Sequence, residues 1–182
     1  MPEATLLKKL QILAQLTRQL QEYGIRPVLV GGTALEVYTA GAYATGDMDI
    51  VVANRDVAVH ALHEMGFQPH GRHWFHAQWE IAVEIPDTDL AGDYGRLLEL
   101  EIADGEVVYC IGVEDLLIDR LNAAVHWQSS EDARWAKNLL RNHATRLDWD
   151  YLWRRAREEG TVQMLEALWQ EVQRDDAAYE AE

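Results

Sequence analysis

The chain has 182 residues, enough for one domain or a small core with a helical appendage, and its 48% apolar and 26% charged residues suit a globular protein. Its 31 acidic residues against 16 basic ones leave a net charge of −15, which removes the overall basic footprint that tight binding to long nucleic acid requires. A single cysteine, Cys110, excludes an internal disulfide and a cysteine-based zinc site, and no apolar run is long enough to offer a membrane span.

Met1-Pro2-Glu3-Ala4-Thr5 leads into an amphipathic pattern rather than an unbroken apolar core, so it does not read as a secretory signal, and a cytoplasmic address is expected. Leu6, Leu10, Leu13, Leu16 and Leu20 recur at helical spacing, with Lys8, Lys9, Gln11 and Gln15 between them and Gly24 as the expected stop. Arg26-Pro27 then enters a strand over 28–30. Thr33 is the expected N-cap of a helix ending near Gly41. A second strand is expected over 47–53. Asp56 opens a helix with the apolar face Val57, Ala61, Leu62 and Met65, closed by Gly66.

Residues 67–86 read as extended, up to Pro86, which disfavours continuation in a central strand. Residues 87–96, with Gly92 and Gly95, read as a loop. Strands over 97–102 and 107–111 around Asp104-Gly105 predict a hairpin. From Val113 onward the pattern is helical, with breaks near Ser129-Ser130, at 145–148 and at Gly160-Thr161, and the acidic tail from Asp175 is expected to fray. This order predicts an α+β fold, a short mixed sheet with flanking helices and a helical C-terminal region. The expected division is a core over 1–112, including the N-terminal helix, and a helical region over 113–182 packed on it.

The chemistry concentrates in two neighbouring stretches. Val28-Leu29-Val30-Gly31-Gly32-Thr33 is an apolar strand running through a glycine pair into a helix start, and Asp47-Met48-Asp49-Ile50-Val51-Val52 puts two carboxylates at i and i+2 of a strand. Strand side chains alternate, so Asp47 and Asp49 share a face and repel each other unless a cation or a proton lies between them. A glycine turn at a helix N-terminus lets an anion reach backbone N–H groups. A cation site beside an anion site points to phosphate chemistry. Each motif also has a plainer reading, as an exposed Asp pair in a turn and as a tight strand-to-helix turn that needs no ligand.

Gly31-Gly32-Thr33 followed by Thr45-Gly46-Asp47-Met48-Asp49 resembles the signature of the polymerase-β-like nucleotidyltransferase superfamily, in particular its small stand-alone bacterial members. The resemblance covers roughly residues 25–121, including the helix over 34–38, Gly41 and Thr45. It implies a nucleotidyltransferase-like core, with Asp47 and Asp49 holding Mg²⁺ or Mn²⁺ on the phosphates and Gly31, Gly32 and Thr33 cradling the β- and γ-phosphates. In the family a third acid comes from a later strand. Glu84, in Ile81-Ala82-Val83-Glu84-Ile85, is the candidate for that role, for the second metal position and for help in deprotonating the acceptor, with Glu80 as runner-up. Glu is a departure, because many members carry Asp there. Arg120 stands where small members often carry a phosphate-contacting lysine; its plainer reading is a helix residue paired to a nearby acid.

The reaction this implies is transfer of a nucleoside monophosphate from a nucleoside triphosphate to a hydroxyl acceptor, releasing pyrophosphate. The acceptor is open among a small molecule, a protein side chain and an RNA end. Long nucleic acid is not expected, although Arg134, Lys137, Arg141, Arg146, Arg154, Arg155 and Arg157 gather in the C-terminal third, where they also read as solvated helix faces. The rival is a non-catalytic nucleotide- or partner-binding member, such as half of a toxin–antitoxin pair. A plain helical interaction protein ranks below both. The seven tryptophans read as core or interface, and a homodimer stays open. His60 and His63, one turn apart on a helix, and His70, His73 and His76 on the extended segment read as surface or core residues rather than a metal set.

Overall fold

A computed structural model describes residues 5–103 and 105–180. The chain divides into two compact units, one ending at Gly112 and the other beginning at Val113.

In the first unit, α1 spans Leu6–Gln21, capped by the Thr5 hydroxyl, which accepts from the Lys8 N–H. Leu10, Leu13, Leu16 and Leu20 form its buried stripe, as the spacing predicts. Gly24, at φ +69°, takes the left-handed turn after the helix. The sheet strands are β1 (Val28–Val30), β2 (Asp47–Val51), β3 (Gln68–His70), β4 (His73–His76), β5 (Ile81–Glu84), β6 (Leu98–Ala103) and β7 (Glu106–Cys110), joined in the order β3-β4-β5-β2-β1-β7-β6. β1 pairs with β7 and β2 with β5 in parallel, and the other four ladders are antiparallel, so the sheet is mixed. On the central strands one face is apolar and buried through Leu29, Met48, Ile50, Ile81 and Val83. The other face carries the half-buried Asp47, Asp49 and Glu84.

Helix α2 spans Gly31–Tyr38 and α3 spans Arg55–Glu64, capped by Asn54. Two expectations change here. Thr33 is not the N-cap: α2 begins directly at Gly31 with Val30 in the cap position, and Thr33 is fully buried inside the first turn. Residues 67–86 are not one extended run but β3, β4 and β5, folded at Gly71 and again before Ile81. The edge strand β3 is exposed throughout and holds Pro69, a residue that a central strand would not tolerate. The loop over 87–96 contains one 3₁₀ turn, Tyr94–Arg96. In the β6–β7 hairpin Ala103 pairs with Glu106, and Gly105 has φ +77°, while Asp104 of the expected turn lies outside the described residues.

The second unit is helical: α4 (Val113–His126), α5 (Ser130–His143), α6 (Trp149–Glu158) and α7 (Val162–Glu180). The breaks fall where Ser129 and Asp148 act as N-caps and where Gly160 turns at φ +73°. Leu116, Leu117, Leu121, Leu139, Leu140, Leu152, Leu165 and Val172 form its core. The tail expected to fray is helical through Glu180, and Asp175 within it accepts from Arg141 at 2.7 Å and pairs with Lys137 at 3.0 Å. No helix among the described residues is long and apolar enough to cross a membrane.

Candidate active site

Sheet register builds the site. Asp49 on β2 pairs with Val30 of β1 on one side and with Glu84 of β5 on the other, and Glu84 in turn pairs with His73 of β4. Residues level with one another across a sheet project from the same face. Asp49, Glu84 and His73 therefore form a row across three strands, with Asp47 two residues before Asp49 on that face. His73 Nε2 lies 3.1 Å from Glu84 Oε2 and 3.8 Å from Asp47 Oδ2. One ligand atom from each of Asp47, His73 and Glu84 falls within 4.8 Å of the others. Arg72, at the start of the same hairpin arm, sets its Nε 3.3 Å from Glu84 Oε2. Glu80, the runner-up acid, sits on the turn before β5, exposed and at φ +55°, outside this group.

The glycine turn abuts the acids. Gly31 has φ +59°, and a Cβ built on it would collide with Asp49 Oδ2 and lie 3.0 Å from Asp49 Cγ, so glycine is required there both for its backbone and for the space. The Gly32 N–H donates to the Asp49 carboxylate. Thr33 Oγ1 donates to the Asp47 carbonyl at 2.6 Å, and Thr45 Oγ1 donates to Asp47 Oδ1 at 2.7 Å. The N-terminus of α2 thus faces the acidic strand, and Asp47 is held by its backbone and its side chain together.

Behind this lies Lys9, read from the sequence as one of the polar residues between the α1 leucines. It is 1% exposed. Its ammonium donates to Glu36 Oε2 at 2.7 Å and to the Thr45 carbonyl, so a buried charge on α1 ties α2 to the segment that delivers Asp47. A buried ammonium persists only when it is paired and hydrogen-bonded in this way.

The electrostatics follow from crowding. The Asp49 carboxyl is pushed up to about 6, first by burial and then by the negative charges of Asp47 and Glu84, against the opposing effects of the Gly32 N–H and His73. Three acids on one strand-and-neighbour face cannot all ionise cheaply without a positive partner.

Of the residues singled out in the sequence, Asp47, Asp49, Glu84, Gly31 and Gly32 come together, and Thr33 touches the group through the Asp47 carbonyl. Arg120 belongs to the second unit, where it donates to Asp119 at 2.5 Å and to Asp132 at 2.8 Å, the plainer of its two readings. His73, which reads from the sequence as a surface or core residue, joins the acids, and Lys9, which reads as a polar helix residue, is buried beside them. Lys9 carried a signal, because it precedes the buried Leu13 and Leu16 by four and seven residues and so lies on the apolar stripe. His73 carried none without the hairpin register that sets it against Glu84.

A seven-stranded mixed sheet with helices and an acidic pair beside a glycine-started helix defines a nucleotidyltransferase fold. The sequence matches the family described as uncharacterised nucleotidyltransferase over residues 3–172, and the chain belongs to that family of enzymes. Among solved structures it is similar to an antigenic nucleotidyltransferase-like protein from Paracoccidioides brasiliensis, with 16% identity, a TM-score of 0.58 and coverage of 77% of this chain and 78% of that one. It is also similar to the antibiotic-resistance factor ANT(2'')-Ia in solution, with 13% identity, a TM-score of 0.51 and coverage of 95% of both chains. At these identities the likeness is one of fold. No curated protein matches the sequence.

Proposed function

We propose that the chain is a divalent-metal-dependent nucleotidyltransferase that moves a nucleoside monophosphate from a nucleoside triphosphate to a hydroxyl on a small molecule or a protein. The observation that carries this reading is the row of Asp49 and Glu84, with Asp47 beside them, facing the glycine-started N-terminus of α2. The donor set fits a hard cation, since it offers half-buried carboxylate oxygens, one of them on a carboxyl pushed up to about 6 by burial and its acidic neighbours. Mg²⁺ or Mn²⁺, when bound, neutralises triphosphate charge and favours ionisation of a hydroxyl.

In this reading Asp47 and Asp49 hold the ion, with Thr45 fixing the Asp47 carboxylate in place. The Gly31 N–H donates to a phosphate oxygen, helped by the positive end of α2, and the Gly32 N–H, which donates to the Asp49 carboxylate in the free protein, turns to phosphate when a cation takes that carboxylate. Thr33 contributes only its backbone, because its hydroxyl is committed to the Asp47 carbonyl. Glu84 accepts the proton of the acceptor hydroxyl. The acceptor oxygen then bonds to the α-phosphorus as the bond from that phosphorus to the bridging oxygen breaks, and pyrophosphate leaves with the electron pair. Arg120 is left out, because its guanidinium is engaged with two acids. A cytoplasmic address belongs to the same proposal, since nucleoside triphosphates are the substrate.

The test is incubation of the protein with each α-labelled nucleoside triphosphate and Mg²⁺, followed by measurement of pyrophosphate and of label transferred to small-molecule or protein fractions. Metal-dependent transfer that Asp47→Asn with Asp49→Asn abolishes is the expected result. Triphosphate binding that is indifferent to metal and unchanged in the double variant would overturn the reading.

A further inference from the structure

We propose that His73 is itself a metal ligand, and that Asp47, Glu84 and His73 form a mixed oxygen–nitrogen cation site that takes Mn²⁺ or a similar borderline ion in preference to Mg²⁺. The inference rests on the nucleotidyltransferase reading, with which it shares Asp47 and Glu84. It concerns the identity of the ion and a ligand that the acidic motif does not contain.

Around a metal with bonds of about 2.1 Å, adjacent ligand atoms stand roughly 3.0 Å apart in an octahedron and roughly 3.4 Å apart in a tetrahedron. His73 Nε2 stands 3.1 Å from Glu84 Oε2, within that range, and 3.8 Å from Asp47 Oδ2, a little beyond it. The three donors come from three strands, and register rather than chance contact aligns two of them, since His73 is the direct cross-strand partner of Glu84.

The side chains of Asp47, His73 and Glu84 are 39%, 26% and 15% exposed, open enough for an ion to enter and buried enough for the ligands to hold their places. Asp47 divides its two oxygens: Oδ1 takes the Thr45 hydroxyl, and Oδ2 faces His73. The competing cation on Glu84 is Arg72, whose side chain is 75% exposed and lies on a turn from which it can swing into solvent.

The choice of ion follows from ligand chemistry. Mg²⁺ is held by oxygen and retains its waters, whereas imidazole nitrogen suits the first-row transition ions. Replacing one oxygen of the group by Nε2 therefore costs Mg²⁺ more than it costs Mn²⁺.

The experiment is pulsed electron paramagnetic resonance of the full chain loaded with Mn²⁺ alone, with calorimetric titration of Mn²⁺ and of Mg²⁺. A nitrogen coupling from a directly bound imidazole is expected. It should change to the ¹⁵N pattern in protein carrying ¹⁵N-histidine and vanish in His73→Gln. His73→Gln should weaken Mn²⁺ at least about tenfold and Mg²⁺ much less. Mn²⁺ that binds without nitrogen coupling, or equally well in His73→Gln, overturns the His73 assignment and leaves the carboxylate reading standing. No Mn²⁺ binding in the wild-type chain overturns the mixed-ligand site, and binding of neither Mn²⁺ nor Mg²⁺ overturns the carboxylate reading with it. The ¹⁵N-histidine comparison needs no variant, so misfolding of His73→Gln would not shield the proposal.

Discussion

Glu84 stands level with Asp49 across the parallel ladder of β2 and β5, so two carboxylates from segments far apart in sequence present themselves side by side on one face. With Asp47 on that face and the first amides of α2 opposite, the fold assembles negative charge against a helix start that favours it. Much of the behaviour expected of this protein follows from how that charge is compensated.

The metal-free protein should gain stability when Asp49 loses its charge. In the folded chain the Asp49 carboxyl titrates near 6, above the ordinary 3.8. Between those two values the folded state holds a proton that the unfolded state has released, so stability contributed by the protonated group is full below about 4 and is lost as pH rises through 6. Asp49→Asn removes the titration. Denaturant unfolding without metal should find the variant more stable by roughly 1–3 kcal/mol at pH 8 and equal to wild type near pH 4. A variant less stable at pH 8 would mean that the Asp49 carboxylate is a structural partner.

Gly31→Ala should disarm the site. The added Cβ meets the Asp49 carboxylate, and φ +59° costs a side chain about 1–2 kcal/mol. Metal and triphosphate binding, followed by calorimetry, should fall together, with circular dichroism unchanged. Gly32→Val is milder towards the acids, since its Cβ meets Thr45 first, at 3.1 Å. It should weaken triphosphate binding while leaving nucleoside binding nearly intact.

Lys9→Met should cost about 3–5 kcal/mol, because it leaves Glu36 buried without its charge partner. Pairing it with Glu36→Leu should recover most of the loss. Urea midpoints of the two variants test this, and a single variant as stable as wild type would show that Glu36 is compensated elsewhere.

Bulk tRNA and duplex DNA should bind weakly, poorer than ~10 μM at physiological salt. In the second unit Lys137 and Arg141 pair with Glu171, Asp175 and Asp176, and Arg155 pairs with Asp115, Glu158 and Glu159. Lys137 and Arg141 hold the Asp175 carboxyl below its usual range, the mark of charges already answered. A gel-shift series across salt concentrations decides the point. Submicromolar binding with a steep salt slope, lost on charge reversal at Arg134, Arg141, Arg154 and Arg155, would favour an RNA end as acceptor.

Much of this architecture was legible in the residues, because α1, the strand through Asp49 and the four C-terminal helices each carry a clean period and clear end signals. What failed was local competition. Thr33 has the chemistry of a cap, but glycine at φ +59° let the helix start three residues earlier and freed the hydroxyl for the Asp47 carbonyl. The stretch from Trp74 to Pro86 has β propensity throughout, and composition does not show where a chain turns back. The acidic pair and Glu84 could be singled out because carboxylates in apolar strands are costly. His73 could not, because its meaning comes entirely from a neighbour supplied by pairing.

The placement of β4 has a dynamic consequence. Asp47 and Asp49 ride on the central strand β2, whereas His73 lies on β4, which is also paired on both sides but has the exposed, proline-bearing edge strand β3 as one neighbour. Short hairpins hold together weakly without support. The candidate centre spans the middle of the sheet and a strand near its edge, and an ion bridging them would act as a staple. Amide hydrogen exchange should be slow in β2 whether or not Mn²⁺ is present, and should slow in β4 only when it is added.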